Sequence, residues 1–495
     1  MRNLKIFFKD TIIYGFAAIL PKAVNILLVR LHTTLLDPTE YSINTSFYIW
    51  AAYFNIILTY GLETAFFKFY SDEKENKDKV IFTSFITILT SSGIALFFLL
   101  LFTRQLSELL GFESETNFTY LIWISILDTL IVIPFAYLRV LGKSKRYTLF
   151  KLLNVICYAG ANILLLVTID DSREVQNFSI KYLGFSTSKT SNIFIANLIA
   201  SSLTFFLALP IILKLKFQFC RSTLLKMFRY STPLVIAGLA YATNENLDKL
   251  ILKNLLGKDV MGAYSAAYKI GVIMALYIMA FRLGAEPYFF NIASEKNSRK
   301  VYALIMKWFV IIGSVLLIAI VNMIDFISKI FLGKDTYLTA IKIVPLILIA
   351  NLFLGVYNNL SIWYKITKKT KIGMYLSLLG SITTALLLLI LVPRIGLIGG
   401  AWATVITYGS MMIGSYLIGR NQYPIPYNIK KIGFYLGTSI VVSGISFIYF
   451  KNHTPSKILL TCNYALLVVV LEKKDLKKLL TRGPKNNSNN YIDQD

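Results

Sequence analysis

Apolar stretches of roughly 20 residues, each long enough to cross a ~30 Å hydrocarbon layer as a helix, recur from one end of this chain to the other. We place fourteen of them, near residues 11 to 31, 41 to 60, 80 to 102, 118 to 138, 152 to 169, 192 to 213, 232 to 252, 260 to 281, 301 to 324, 343 to 364, 372 to 392, 397 to 418, 432 to 450 and 458 to 471. In lipid a backbone must satisfy its own polar groups, and a helix does so within one segment. With 56% hydrophobic and only 16% charged residues in 495, the chain is far more apolar than a soluble protein of that length requires. The expected fold class is an all-α polytopic membrane protein. The basic start MRNLKIFFKD precedes an apolar segment of about 21 residues with no small-residue cleavage pattern, so that segment is expected to stay as the first helix.

A net charge of +25 raises the question of nucleic acid, and the placement of the basic residues argues against it. If the N-terminus is cytoplasmic, the segments on that side hold 34 of the 51 Lys and Arg, and the opposite loops hold 12. Short loops biased in this way follow the positive-inside rule, which puts both termini in the cytoplasm. The basic excess then faces anionic lipid. Cys157, Cys220 and Cys462 lie far apart without metal or redox spacing and read as apolar filler.

GLETAFFKFYSDE at Gly61 returns as GAEPYFFNIASEK at Gly284, 223 residues later, with five identities in thirteen positions. Tyr41-Ser42 lands on Tyr264-Ser265 at the same offset, and helices two to five fall onto helices eight to eleven. The chain thus reads as two parallel six-helix lobes, residues 1 to 213 and 232 to 418. A basic amphipathic linker joins them at 214 to 231, two additional helices occupy 419 to 471, and a polar, disordered tail occupies 472 to 495. Two lobes that rock about a central cavity suit a transporter. Each lobe then has its own cytoplasmic rim, where Glu63 and Glu286 exchange partners with Arg139 or Arg282, or simply end their helices as interfacial charges.

Five basic residues fall inside the spans: Lys22, Arg30, Lys249, Lys269 and Lys307. A charge near a helix centre costs roughly 2.5 to 3.5 kcal/mol on insertion scales, so each needs a wet cavity, a partner or a path to the headgroups. Lys22 after Pro21 and Lys269 halfway along helix eight are the deepest; Arg30, Lys249 and Lys307 lie nearer the ends. Acids at similar depth are Asp128, Glu245 and Asp248, as charge partners, as protonatable coupling groups, or both. Asp248 and Lys249 are adjacent, point in different directions on a helix, and are expected to find separate partners. More positive than negative groups in a cavity predict an anionic cargo, and converging amines suit a diphosphate. His32 and His453 read as loop residues near the outer surface. No GxxxxGK[ST] loop is present and no catalytic constellation stands out, so neither an enzyme activity nor a cofactor or metal is expected.

The runs FRYSTPLVIAGLAYATNENLDKLILKNLLGKDVMGAYSAAYKIG at 228 to 271, PYFFNIASEK at 287 to 296 and PRIGLIGGAWATVITYG at 393 to 409 resemble the polysaccharide-unit flippases of the multidrug, oligosaccharidyl-lipid and polysaccharide exporter superfamily. The resemblance implies two six-helix bundles in a V with two added helices. It also implies a cargo, an oligosaccharide on polyprenyl diphosphate, turned from the cytoplasmic to the periplasmic leaflet of a bacterial inner membrane beside polymerase or glycosyltransferase machinery. Where family members carry Asp-Arg late in helix seven, this chain has Asp248-Lys249, which keeps the charge and loses the bidentate fork. Gly396, Gly399, Gly400 and Ala401 fit the family and also serve close helix packing. On this reading Lys22, Lys269, Arg30 and Lys249 are the substrate-binding candidates. A peptidoglycan-precursor flippase and an ion-coupled drug exporter remain as alternatives, and below them a membrane polymerase or glycosyltransferase, for which the largest outer loop, at 22 residues, is small.

Overall fold

Among the described residues the apolar runs are helical, because only backbone hydrogen bonds within the segment replace those that water would make. A computed structural model describes residues 20–21, 24–72, 75–168, 188–450, 453–475 and 477. The principal helices are α1 (Val24–Leu35), α2 (Pro38–Thr59), α3 (Lys77–Leu101), α4 (Glu115–Val140), α5 (Ser144–Val167), α6 (Lys189–Ile212) and α7 (Arg221–Leu256). They continue as α8 (Lys258–Asn291), α9 (Ser298–Asn322), α10 (Asp335–Ile366), α11 (Lys371–Ile395), α12 (Leu397–Gln422), α13 (Ile429–Tyr449) and α14 (Thr454–Leu471). No strand occurs among the described residues, and the all-α polytopic membrane fold is as expected.

Ten of these helices are long and apolar enough to span a membrane. Among the rest, α1 and α14 are shorter, and α7 is diluted by Asn244, Glu245, Asn246, Asp248 and Lys249. Polarity concentrated on a single helix marks a face that looks into protein or water instead of lipid.

The chain forms two compact units, Met1–Ser294 with Ser328–Pro424, and Glu295–Ile327 with Ile425–Asp495. In the first unit the two copied helices α2 and α8 cross at their N-terminal ends. A Cβ on Gly262 would stand 1.7 Å from the carbonyl oxygen of Pro38, so only glycine allows this approach. The copies differ at the other end. Tyr60 and Gly61 take left-handed φ values of 51° and 65°, which end α2 and start a separate helix Leu62–Tyr70, whereas α8 runs unbroken through Gly284. The basic linker is continuous with α7 from Arg221 onward and is fastened to the start of α3. Lys226 pairs with Glu75 at 2.7 Å, Lys216 with Asp78 at 3.2 Å, and the Cys220 N–H donates to Thr83 Oγ1 at 2.9 Å.

The second unit packs α9 against α13 and α14. Lys307, a span charge in the sequence, meets Glu472 at 2.7 Å and Asp475 at 2.6 Å, while Lys431 and Tyr435 also donate to Glu472, at 2.7 and 3.0 Å. Asn322 donates to the carbonyl of Lys457 and to Thr461, both at 2.8 Å. Burial raises the pKa of the Glu472 carboxyl, but hydrogen bonds from Lys307, Lys431 and Tyr435 outweigh it and hold the group below its usual value. A depressed folded pKa contributes stability above the unfolded value and loses it as pH falls through the folded one. Glu472→Gln is therefore expected to destabilise this unit by roughly 3 kcal/mol at neutral pH. In thermal unfolding followed against pH, the gap to wild type should close in strong acid.

Candidate functional site

A cavity of about 410 Å³ opens inside the first unit, walled by residues of α1, α2, α5, α6, α7 and α8. Helical periodicity puts the lining residues there. Asn25, Leu28, Val29 and His32 recur at three- and four-residue steps on α1, as do Tyr41, Asn44, Thr45 and Tyr48 on α2 and Ser265, Tyr268, Lys269 and Val272 on α8. Glu245 and Lys249, one turn apart on α7, complete the charged lining.

Lys249 is fully engaged. Its ammonium donates to the Glu245 carbonyl at 2.6 Å and to Asp248 Oδ1 at 3.1 Å, and lies 4.0 Å from the centroid of the Tyr268 ring. The expectation of separate partners for Asp248 and Lys249 is corrected here: adjacent Cβ atoms diverge, but a four-carbon stem curls the ammonium back to its neighbour. Asp248 also accepts from Tyr264 Oη at 2.8 Å, so a residue of the copied Tyr-Ser pair braces this acid. Glu245 accepts from Tyr408 Oη at 3.2 Å. Lys269 is exposed to the cavity and, among the described residues, has no acid within ion-pair distance. With Lys249 paired to Asp248, Lys269 and Glu245 carry the remaining charges of the described lining.

His32 is not a surface loop residue. It is 5% exposed, lines the cavity from the last turn of α1, and its Nε2 lies 3.0 Å from Asn162 Oδ1. The difference arises because α1 continues to Leu35, beyond the apolar run that marks it in sequence. His453, by contrast, caps α14 through Ser456. Lys22 lies outside the described residues, although Pro21 before it lines the cavity. Arg30 is not in the lining: its guanidinium donates to the carbonyls of Lys329, at 2.8 Å, and Leu332, at the end of the helix Ile324–Phe331, where a cation complements the helix dipole. Asp128 is not in the lining; its polar and charged neighbours are Ser201 and Lys151. Lys151 escaped the sequence reading because it sits at the edge of an apolar run, beside a segment rich in basic residues.

The duplicated acids do related work. Glu63 pairs with Arg139 at 3.1 Å, and Glu286 pairs with Lys365 at 2.5 Å and with Arg282 at 3.4 Å. In each half the acid that follows the copied glycine meets a base near the end of that half's fourth helix, α4 or α10. Lys365 was hidden because the offset carries Arg139 to Ile362, about one turn away. Among the described residues no group of three or more His, Cys, Asp or Glu could hold a metal ion.

The fold is shared with known transporters. A structure described as the lipid II flippase MurJ in an inward closed conformation is 16% identical over 94% of this chain and all of its own, with a TM-score of 0.69. An inward-facing multidrug resistance MATE transporter of the MOP superfamily is 16% identical over 84% of this chain and 96% of its own, with a TM-score of 0.64. A MOP superfamily transporter from Pyrococcus furiosus, described as having a binding pocket of reverse polarity, is 13% identical over 84% of this chain and 95% of its own, with a TM-score of 0.57. Comparison with curated protein sequences returns no match. The MatE family model matches residues 233–390. The model of the polysaccharide biosynthesis proteins matches residues 7–293, more than half of the chain, which therefore belongs to the polysaccharide biosynthesis protein family.

Proposed function

We propose that this membrane transporter flips a polyprenyl-diphosphate-linked oligosaccharide from the cytoplasmic to the periplasmic leaflet by alternating access. The observation that carries the reading is the cavity between the copied halves, with the Lys269 ammonium open to it and no acid, among the described residues, within ion-pair distance of that ammonium. An unpaired ammonium held away from bulk water is costly to keep and attracts an anion strongly. Lys269 and Lys22 hold the diphosphate, while Lys249 stays with its partner Asp248. The polyprenyl tail stays in lipid while the polar head crosses with the rocking lobes. Glu63 with Arg139, and Glu286 with Lys365 and Arg282, fasten each lobe internally so that it moves as one body. Asp128 and Glu245 are the acids placed to couple movement to an ion gradient. The lysine-rich segments support cytoplasmic termini in a bacterial inner membrane, where glycosyltransferases would supply the cargo on one face and a polymerase would consume it on the other.

The test reconstitutes the full chain in liposomes and follows exposure of three labelled cargoes to an outside reagent: a polyprenyl-diphosphate oligosaccharide, a peptidoglycan precursor and a lipophilic cation. The first is expected to move fastest. Faster movement of the precursor would reassign the cargo within lipid-linked glycans; movement of the cation alone would overturn the anionic reading.

A further inference from the structure

Pro38 at the first position of α2 sets a sharp corner with α1, and that corner of the first half is fastened to the segment of the second half that leads into α10. The Arg30 guanidinium donates to the carbonyls of Lys329 and Leu332, the Gly333 N–H donates to Thr33 Oγ1 at 2.9 Å, and Lys334 pairs with Asp37 at 2.5 Å. Tyr337, fully buried, donates from Oη to the carbonyl of Leu36 at 2.9 Å and meets the Tyr41 ring edge-on, with centroids 5.8 Å apart. Tyr41 lines the cavity, so this joint lies over one end of it. A second joint ties the halves at the same end: Lys253, near the end of α7, donates to the Gly111 carbonyl at 2.9 Å, and Lys258, at the start of α8, pairs with Glu113. At the opposite end the acids Glu63 and Glu286 bind bases of their own halves.

We propose that the joint between the α1–α2 corner and residues 329 to 337 is a latch that shuts the cavity from the periplasm, and that Arg30 holds it closed. The inference rests on the transport reading above for the need to open, and on the positive-inside topology for which end is outer. The bonds suit a joint that parts and reforms. Water replaces a hydrogen bond to a main-chain carbonyl, or an exposed ion pair, at small net cost. Arg30 is exposed, and the Asp37 side chain is 67% exposed, so both are within reach of that water. A guanidinium on the last carbonyls of a helix also complements its dipole, which makes Arg30 the strongest single hold. Gly333 lets the two backbones meet. A Cβ there would stand 2.3 Å from the Thr34 backbone nitrogen and 2.4 Å from its Cα. Gly333 does not take a left-handed φ, so alanine at this position acts through that clash alone and wedges the latch apart.

The test follows a cysteine reporter in the cavity and uses no cargo, so its outcome is separate from that of the diphosphate reading. Asn25→Cys, at an exposed position of the lining, is placed in the full chain carrying Cys157→Ser, Cys220→Ser and Cys462→Ser. Its labelling by a membrane-impermeant maleimide is timed in right-side-out and inside-out membrane vesicles. With the latch intact, labelling through the periplasmic face is expected to be about tenfold slower, or more, than through the cytoplasmic face. Arg30→Ala should raise the periplasmic rate about tenfold, the worth of one charge-assisted hydrogen bond, and Gly333→Ala should raise it at least as far. Arg30→Ala only trims an exposed side chain, so it decides the matter if Gly333→Ala does not fold. Equal labelling through both faces before either substitution, or no rise in Arg30→Ala, overturns the latch. A reporter shut off from the cytoplasmic face instead overturns the topology reading, and the two variants then decide the latch from that face.

Discussion

Alanine at Lys269 is expected to weaken binding of the diphosphate cargo by roughly 10- to 100-fold, the range of a charge-assisted hydrogen bond of about 1.5–3 kcal/mol. The size follows from the state of the group. Lys249 is already committed to Glu245, Asp248 and the Tyr268 ring, so its removal would break an internal brace. Lys269 has no such partner among the described residues, and its whole interaction is available to cargo. Lys269→Glu goes further, leaving Lys249 against two carboxylates in the described lining, and is expected to abolish uptake of an anion. Lys269→Arg should restore most of it. Flipping rates in liposomes with the four proteins check the series; equal rates for wild type and Lys269→Glu would remove Lys269 from the site.

The second large effect is steric. In Gly262→Ala the new Cβ would fall 1.7 Å from the Pro38 carbonyl oxygen and 2.5 Å from its carbon, and because both are backbone atoms no side-chain rotation relieves the clash. α2 and α8 must move apart where the copied halves meet. Overpacking typically costs about 1–3 kcal/mol, and a backbone clash belongs at the upper end. We expect a lowered unfolding temperature together with lost transport. Gly93→Ala is the control: nothing lies within 4 Å of its added Cβ, and relief of glycine's entropy cost stabilises a helix interior by roughly 0.5–1 kcal/mol. If Gly262→Ala melts like wild type, the helix crossing is not as close as described.

The helices were legible in sequence because hydropathy reports a property that each segment carries alone, its fitness for lipid. Partnerships were not, since they join residues far apart in the chain. Lys307 reads as a stray span charge until Glu472 and Asp475, more than 160 residues on, are brought to it. The same distance effect hid Lys365 from Glu286, although the duplicated acids themselves were visible from the 223-residue offset. Arg30 shows the converse. Its charge is evident, but a guanidinium fits both an anion and a helix end, and only the fold places it on the carbonyls of Lys329 and Leu332. His32 was misplaced by the boundary of an apolar run that says nothing about how far the helix continues. The cavity's own signal, polar residues at three- and four-residue steps on α1, α2 and α8, lay in the sequence but is shared with any helix that packs through polar contacts.

The central claim is that a diphosphate carrier enters the hollow between the copied halves. A photoreactive polyprenyl-diphosphate oligosaccharide, with its reactive group next to the phosphates, would mark its neighbours when irradiated with the reconstituted protein. Adducts on the α8 segment that contains Lys269 and on the α1 segment that contains Asn25, both competed away by unlabelled cargo, are the predicted result. Adducts confined to outward-facing positions such as Ile94 of α3 or Leu386 of α11, with none on α1 or α8, would contradict the account.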